Sequence, residues 1–231
     1  MVGGQAVAWW ALHYRAIDPP LTSCDIDFWG FREDLQNLAK ALGRKPVYPH
    51  QYEMTAWVGG IPLHLKGEPT IVEFLSSVPG LDVINPEKAS VGHVISPNSG
   101  PKLLLVLSPV SLVLAKLHAL RAYNQTGRQD ELHLKVSLLT SRAFISQLIT
   151  KAKSKQVLWN VERLIAASKI KAYQRLEVKH GFQVLSAVPI QEIKAATSSS
   201  DLPEEDRNRL QQFMTKRWPQ VAGKSVEGSI T

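Results

Sequence analysis

The hydrophobic pattern changes period at Ser108-Pro109, and this change limits the fold more than any other feature. Before it, apolar residues fall in short runs, some helical and some extended, broken by Gly and Pro. After it they recur at helical spacing over long stretches. An extended strand alternates faces at every residue whereas a helix returns every 3.6, so no stretch satisfies both. The chain therefore reads as α+β: a small mixed sheet with flanking helices over residues 1–107, then a mainly helical, basic part over 108–231. Ser108 suits an N-cap and Pro109 a first helical position, so the change is also a helix start.

In the first part, "GQAVAWWALHYR" (4–15) predicts a helix entered from the Gly3-Gly4 turn, and "CDIDFWG" a short strand ended by Gly30. "REDLQNLAKALG" (32–43) places Leu35, Leu38, Ala39 and Leu42 on one helical face, with Gly43 as its stop. "TAWVGGIPLHL" predicts two extended runs turning at Gly59-Gly60, with Pro62 marking an edge strand. "GEP" leads into a third strand, "TIVEFLSSV", and the Pro- and Gly-rich stretch 79–101 into a long loop before "KLLLVLS". The second part predicts helices at 110–124 (stopping near Gly127), 130–153, 155–178 and 203–217, with a frayed tail after Trp218. Trp9, Trp10, Trp29 and Trp57 suit core or sheet packing.

Composition narrows the functional classes. No apolar run approaches the ~18 to 20 residues of a membrane span, and no secretory leader pattern is present. A single cysteine, Cys24, excludes an internal disulfide and a cysteine-rich zinc site, and is most simply a small buried residue. The seven histidines show no short metal-ligand spacing. A reducing cytoplasm is the expected compartment, with no membrane partner. Residues 1–110 carry 8 Lys and Arg against 10 Asp and Glu, while 111–231 carry 19 against 10, so the excess of +7 is confined to the second half. Lys151, Lys153 and Lys155, with Lys169, Lys171, Arg175 and Lys179, could form a basic face for an RNA backbone or a solvated helical face.

Asp25 and Asp27 carry the chemistry of the first half. Side chains two apart on a strand point to the same side, about 6 to 7 Å apart at the backbone. Their carboxylates can share one Mg²⁺ or straddle a pair of ions, while Ile26 points the other way. Gly3-Gly4 opens a helix, where backbone N–H groups and the positive helix end favour a phosphate. Glu73 sits in an apolar strand that places Ile71, Glu73 and Leu75 on one face and Val72 and Phe74 on the other. An ionised carboxylate in such a strand needs a cation nearby or an edge open to solvent.

"GGQAV" ahead of "TSCDIDF", with "IVEFLSSVPG" and "SPVSLVLAKLHALRAYNQTGRQDELHL", resembles the nucleotidyltransferase superfamily in the branch of the AbiEii-type toxins of type IV toxin–antitoxin systems. The resemblance covers about residues 2–140. It implies a nucleotidyltransferase-like sheet in which Asp25, Asp27 and Glu73 bind Mg²⁺ (or Mn²⁺) and Glu73 is the third acid, where relatives more often have Asp. It implies that Lys116, between Leu114 and Leu117, neutralises the nucleotide's phosphates, that Asp130 is the acid after the lysine helix, and that Gly3, Gly4 and Arg128 bind nucleotide. On residue chemistry alone, Lys116 could also lie at a core boundary, Asp130 could cap the next helix, and Arg128 could sit in solvent. Gly4 stands where many relatives have Ser or Thr, Leu21 where many have Arg, and His133 where a second Asp often follows. Relatives usually carry a helix and strand ahead of the Gly-Gly turn, so a shortened lead-in is expected.

Two functions follow as expectations. The first is a metal-dependent nucleotidyltransferase that moves an NMP from an NTP to a hydroxyl, which the resemblance makes an RNA 3′ end (tRNA-like), in a toxin with a cognate antitoxin; a protein hydroxyl is the substitute acceptor. The second is a catalytically degenerate module that grips nucleotide, RNA or a partner protein without turnover.

Overall fold

A computed structural model describes residues 1–17, 25–53, 55–65, 67–81, 85–97, 100–126 and 128–227, with 223–227 as backbone alone. Leu21, Cys24 and Gly127, named above, lie outside the described residues. The chain is α+β, with a mixed sheet, a small hairpin and then a largely helical C-terminal part.

Helix α1 (Gly3–Tyr14) leads, followed by β1 (Ile26–Trp29), α2 (Arg32–Ala41), β2 (Trp57–Leu65) and β3 (Glu68–Leu75). The sheet order is β1-β3-β2, with β1 parallel and β2 antiparallel to β3. A parallel pair needs a crossover, and α2 lies within it. Its buried Leu35 and Ala39 pack on Ile61, Val72 and Phe74, with Ile26, Phe28 and Leu63 beside them. These are alternate strand positions, so that face is filled by carbon and the opposite face receives Asp27, Glu73 and their i±2 neighbours. The alternation expected around Glu73 holds: Val72 and Phe74 are buried, and Ile71, Glu73 and Leu75 are half-buried.

Two extended segments depart from expectation. Gly59-Gly60 is not a hairpin turn but the interior of the continuous edge strand β2. Gly59, at φ +148°, sits at a bulge where a Cβ would come 2.4 Å from the Val47 carbonyl oxygen and 2.7 Å from Leu35 Cδ2. The glycines thus allow close backbone approach: Val47 and Gly60 exchange N–H···O bonds of 2.8 and 2.9 Å. The reversal falls instead beside Gly67 (φ +89°), which has open space around it. Nor is 79–101 a bare loop. It contains the short helix α3 (Pro86–Ala89), capped by the Asn85 side chain accepting from Glu87 N–H at 2.8 Å, and then β4 (Ser90–Ile95). β4 pairs antiparallel with β5 (Lys102–Leu107). Gly92 and Pro97 masked the alternation of Val91, His93 and Ile95.

Ser108 caps α4 (Pro109–Ala122), its Oγ accepting from Ser111 N–H at 3.3 Å. The core here joins Val7, Trp10 and Ala11 of α1 to Val106, Leu107, Leu112 and Val136. Trp10 Nε1 donates to the Leu107 carbonyl at 2.8 Å. The lead-in to α1 ties strands together: Val2 N–H donates to the Asp27 carbonyl at 2.8 Å, and Leu107 N–H to that of Met1 at 3.0 Å.

The compact units are 1–137 and 138–231, divided inside α5 (Asp130–Thr150). The reason is packing: Leu112 of α4 shares its core with α1, so the first helix after the sheet belongs to the first unit.

The second unit continues α5 and holds α6 (Ser154–Ser168), α7 (Lys171–His180), a 3₁₀ turn at Val184–Ala187, α8 (Ile190–Ala196) and α9 (Glu204–Gln212). A π-helical segment, Phe213–Arg217, then leads into α10 (Trp218–Glu227). The helix expected over 155–178 breaks at Ile170, whose backbone is extended at φ −76°, ψ 113°. Gln174 Nε2 donates to the Ser168 carbonyl freed by the break, at 2.9 Å. The segment after Trp218, expected to fray, is helical as far as Glu227, and 228–231 lie outside the described residues. α6 has no cap of its own; Asp206 of α9 supplies one, accepting from Ser154 N–H at 3.2 Å and from its hydroxyl. No helix among the described residues is long and apolar enough to cross a membrane.

Candidate active site on the open sheet face

The parallel register sets Asp27 directly opposite Glu73. Their side chains rise on the sheet face that α2 does not cover, and the two carboxyl groups hydrogen-bond to one another. Burial raises both pKa values: for Asp27, Asp25 raises it further while Lys116 opposes; for Glu73, Asp27 and then Asp25 raise it. Asp25, just before β1, is therefore within electrostatic reach of both. The Trp57 indole, at the start of β2, lies close enough to Glu73 to favour its charged form, though beyond a regular hydrogen bond.

Helix α1 meets this pair with its first turn. Gly3 adopts φ +65°, and a Cβ there would fall 1.7 Å from Asp27 Oδ2. Gly4 N–H donates to the Asp27 carboxylate. The helix N-terminus thus stabilises an anion, as its dipole and unpaired N–H groups allow, and the anion it holds here is Asp27. The absent Cβ of Gly3 is what lets the carboxylate sit against the backbone.

Lys116 enters from α4. Its side chain is 12% exposed, and Nζ lies 2.8 Å from Asp130 Oδ1, a carboxylate only 3% exposed. Arg128 Nε approaches the other oxygen, Oδ2, at 2.5 Å, with its guanidinium 5.0 Å above the Tyr123 ring. Burial alone would raise the Asp130 pKa; hydrogen bonds from Arg128 and Lys116 hold it below the usual range. Asp130 therefore clamps two cations, and one of them, Lys116, also acts on Asp27. This pairing, rather than a boundary position, explains an ammonium among leucines.

His133 follows Asp130 by three residues on α5 and so shares its face. It is 7% exposed, and neither ring nitrogen has a partner. Burial, with Lys116 and Arg128 adding and Asp130 opposing, lowers its pKa to about 4. The sequence marks His133 by its i, i+3 spacing from Asp130, whereas nothing in it places Trp57 beside Glu73.

The sequence-predicted residues thus fall into two linked groups in the first unit. Gly3, Gly4, Asp25, Asp27 and Glu73 surround the sheet end, while Asp130, which also binds Arg128, holds Lys116 toward it. Hard carboxylate oxygens fit Mg²⁺ or Mn²⁺ in chemistry, and the raised pKa values mark a negative site that a cation would relieve. Asp27 and Glu73 supply adjacent donors. Among the described residues, however, no three His, Cys, Asp or Glu side chains are grouped to hold one ion. Compared with models of protein families, with curated proteins and with solved structures, the chain gives no match in any of the three.

Proposed function

We propose that the chain is a metal-dependent nucleotidyltransferase acting on a hydroxyl acceptor, with an RNA 3′ end as the acceptor favoured by the sequence resemblance. The observation that supports this most is the pairing of Asp27 with Glu73 in register, against the Gly3-Gly4 helix start and within reach of Lys116. Asp27 and Glu73 would hold a divalent ion, with Asp25 adding negative charge beside them, and the ion would polarise the α-phosphate and acidify the acceptor hydroxyl. In the transfer itself, the acceptor oxygen bonds to the α-phosphorus, the bond to pyrophosphate breaks, and the acceptor proton passes to ionised Glu73. Lys116 balances charge on the departing pyrophosphate. Asp130 acts as a positioning residue by holding Lys116, and Arg128 adds positive charge at the same edge. The toxin role, and the antitoxin it requires, belong to the same proposal and rest on the resemblance alone.

A binding module without turnover is the second reading. It is favoured by the absence of a three-ligand group among the described residues and by the way Lys116 already opposes the charge at Asp27. Incubation with each α-labelled NTP, Mg²⁺ or Mn²⁺ and total RNA separates the two. Transfer of label that is lost in Asp27→Asn and in Glu73→Gln supports the enzyme. Absence of label on RNA and on protein with every NTP refutes it.

A further inference from the structure

Charge divides between the two units. The first carries 12 Lys and Arg against 12 Asp and Glu, and the second 15 against 8, so the net +7 lies entirely on the second. Most acids there are occupied. Arg217 holds Glu162 through two bonds of 2.7 Å, Arg142 pairs with Glu192, and Arg209 pairs with Glu205 and Asp206. Glu177, the sole acid of α7, accepts the Val184 backbone N–H at 2.6 Å. Three of the five exposed residues of α7 are cationic. Lys171, Arg175 and Lys179 line a shallow concavity along the helix together with Gln174 and Val178. None of these three cations makes an ion pair among the described residues.

We infer that this face of α7 is a docking surface for an RNA strand, gripped by its phosphodiester backbone. Four residues of helix rise about 6 Å and turn about 40° beyond a full circle, so cations at i, i+4 and i+8 form a slanted row rising about 12 Å. Such a row matches a linear polyanion, whereas a small anion would need convergent donors. A membrane surface fits less well, since an interfacial helix requires a broad apolar face and the concavity offers only Val178, 87% exposed. The surface stands on its own charges; the choice of RNA over DNA rests on the proposed transfer to an RNA 3′ hydroxyl.

The test is fluorescence anisotropy of a labelled single-stranded RNA of about 20 nucleotides with the full chain, over roughly 0.05 to 0.3 M KCl. Replacing all three cations (Lys171→Gln, Arg175→Gln, Lys179→Gln) changes only exposed side chains, and an unaltered melting curve confirms the fold. Each phosphate contact contributes about −0.7 to the log–log salt slope on single strands, so the slope should flatten by about 2 and affinity at 0.1 M fall about 100-fold. Equal affinity and slope in parent and triple variant overturn the inference. So does α7-dependent binding to DNA of the same sequence or to phosphatidylserine vesicles in preference to RNA. Lys151→Gln, Lys153→Gln, Lys155→Gln serves as the comparison: a loss confined to that variant also overturns it. Asp27→Asn should bind RNA as the parent does. RNA binding without label transfer counts against the enzyme alone, and label transfer without α7 dependence against this inference alone.

Discussion

Gly3→Ala is the sharpest perturbation of the site, because it adds one methyl where the Asp27 carboxylate already sits. Two costs can be separated. The backbone at φ +65° is left-handed and costs a residue with a Cβ about 1 to 2 kcal/mol. The methyl would lie 1.7 Å from Asp27 Oδ2, so the carboxylate must move and lose the Gly4 N–H bond, worth about 1.5 to 3 kcal/mol for a charged acceptor. Gly43 supplies the control: its φ is +60° and a Cβ there meets nothing within 4 Å, so Gly43→Ala carries the backbone cost alone. Both positions lie in the first unit, and urea unfolding followed by tryptophan fluorescence compares them on one transition. Gly3→Ala should be less stable than Gly43→Ala by about 2 kcal/mol. In an Asp27→Ala background most of that difference should vanish, since only the Asp27 Cβ, at 3.0 Å, still crowds the new methyl. Equal destabilisation by the two alanines, or additivity with Asp27→Ala, would refute the packing of Asp27 on the α1 turn.

Further outcomes follow from the same geometry. Asp130→Asn leaves Lys116, 12% exposed, without its counter-ion and should cost about 3 to 5 kcal/mol by urea unfolding, with part recovered by adding Lys116→Met. Glu73→Gln should stabilise the protein at pH 7 without divalent ions. Its folded pKa is raised, so the stability it contributes is present below the unfolded carboxyl pKa and is lost as pH rises through the folded one. Millimolar Mg²⁺ should remove the variant's advantage, and a melting curve indifferent to the ion speaks against a metal at Glu73. His133 has the opposite sign: folded near 4 against 6.5 in model peptides, it takes up its proton more readily when unfolded. Stability should therefore decline as pH falls from about 6.5 toward 4, by up to ~3 kcal/mol, and His133→Phe should flatten that part of the pH–stability curve. Ala152 stands at φ +52°, so Ala152→Gly should stabilise the α5–α6 turn by roughly 1 kcal/mol, read as a raised urea midpoint.

Local signals in the sequence were enough for the elements whose chemistry is contained within them. The period change at Ser108-Pro109 marks the start of α4, and the i, i+3, i+4, i+7 spacing after Arg32 marks α2 and its buried Leu35 and Ala39. The alternation around Glu73 assigns its face, because strand side chains alternate whatever the partner. What required the tertiary structure is everything set by a non-local neighbour. Gly59-Gly60 has the composition of a turn, yet the approach of Val47 makes it a strand interior. Ile170 carries no breaking residue, yet the helix stops there. The first compact unit reaches into α5 because Leu112 and Val136 pack with α1. At the site, the sequence supplied the acids, but register alone placed Asp27 opposite Glu73 rather than beside another strand. The cost of crowding carboxylates is opposed in the fold by Lys116, itself held by Asp130. Electrostatic energy depends on distances through space, and those distances are created only when residues far apart in the chain are packed together.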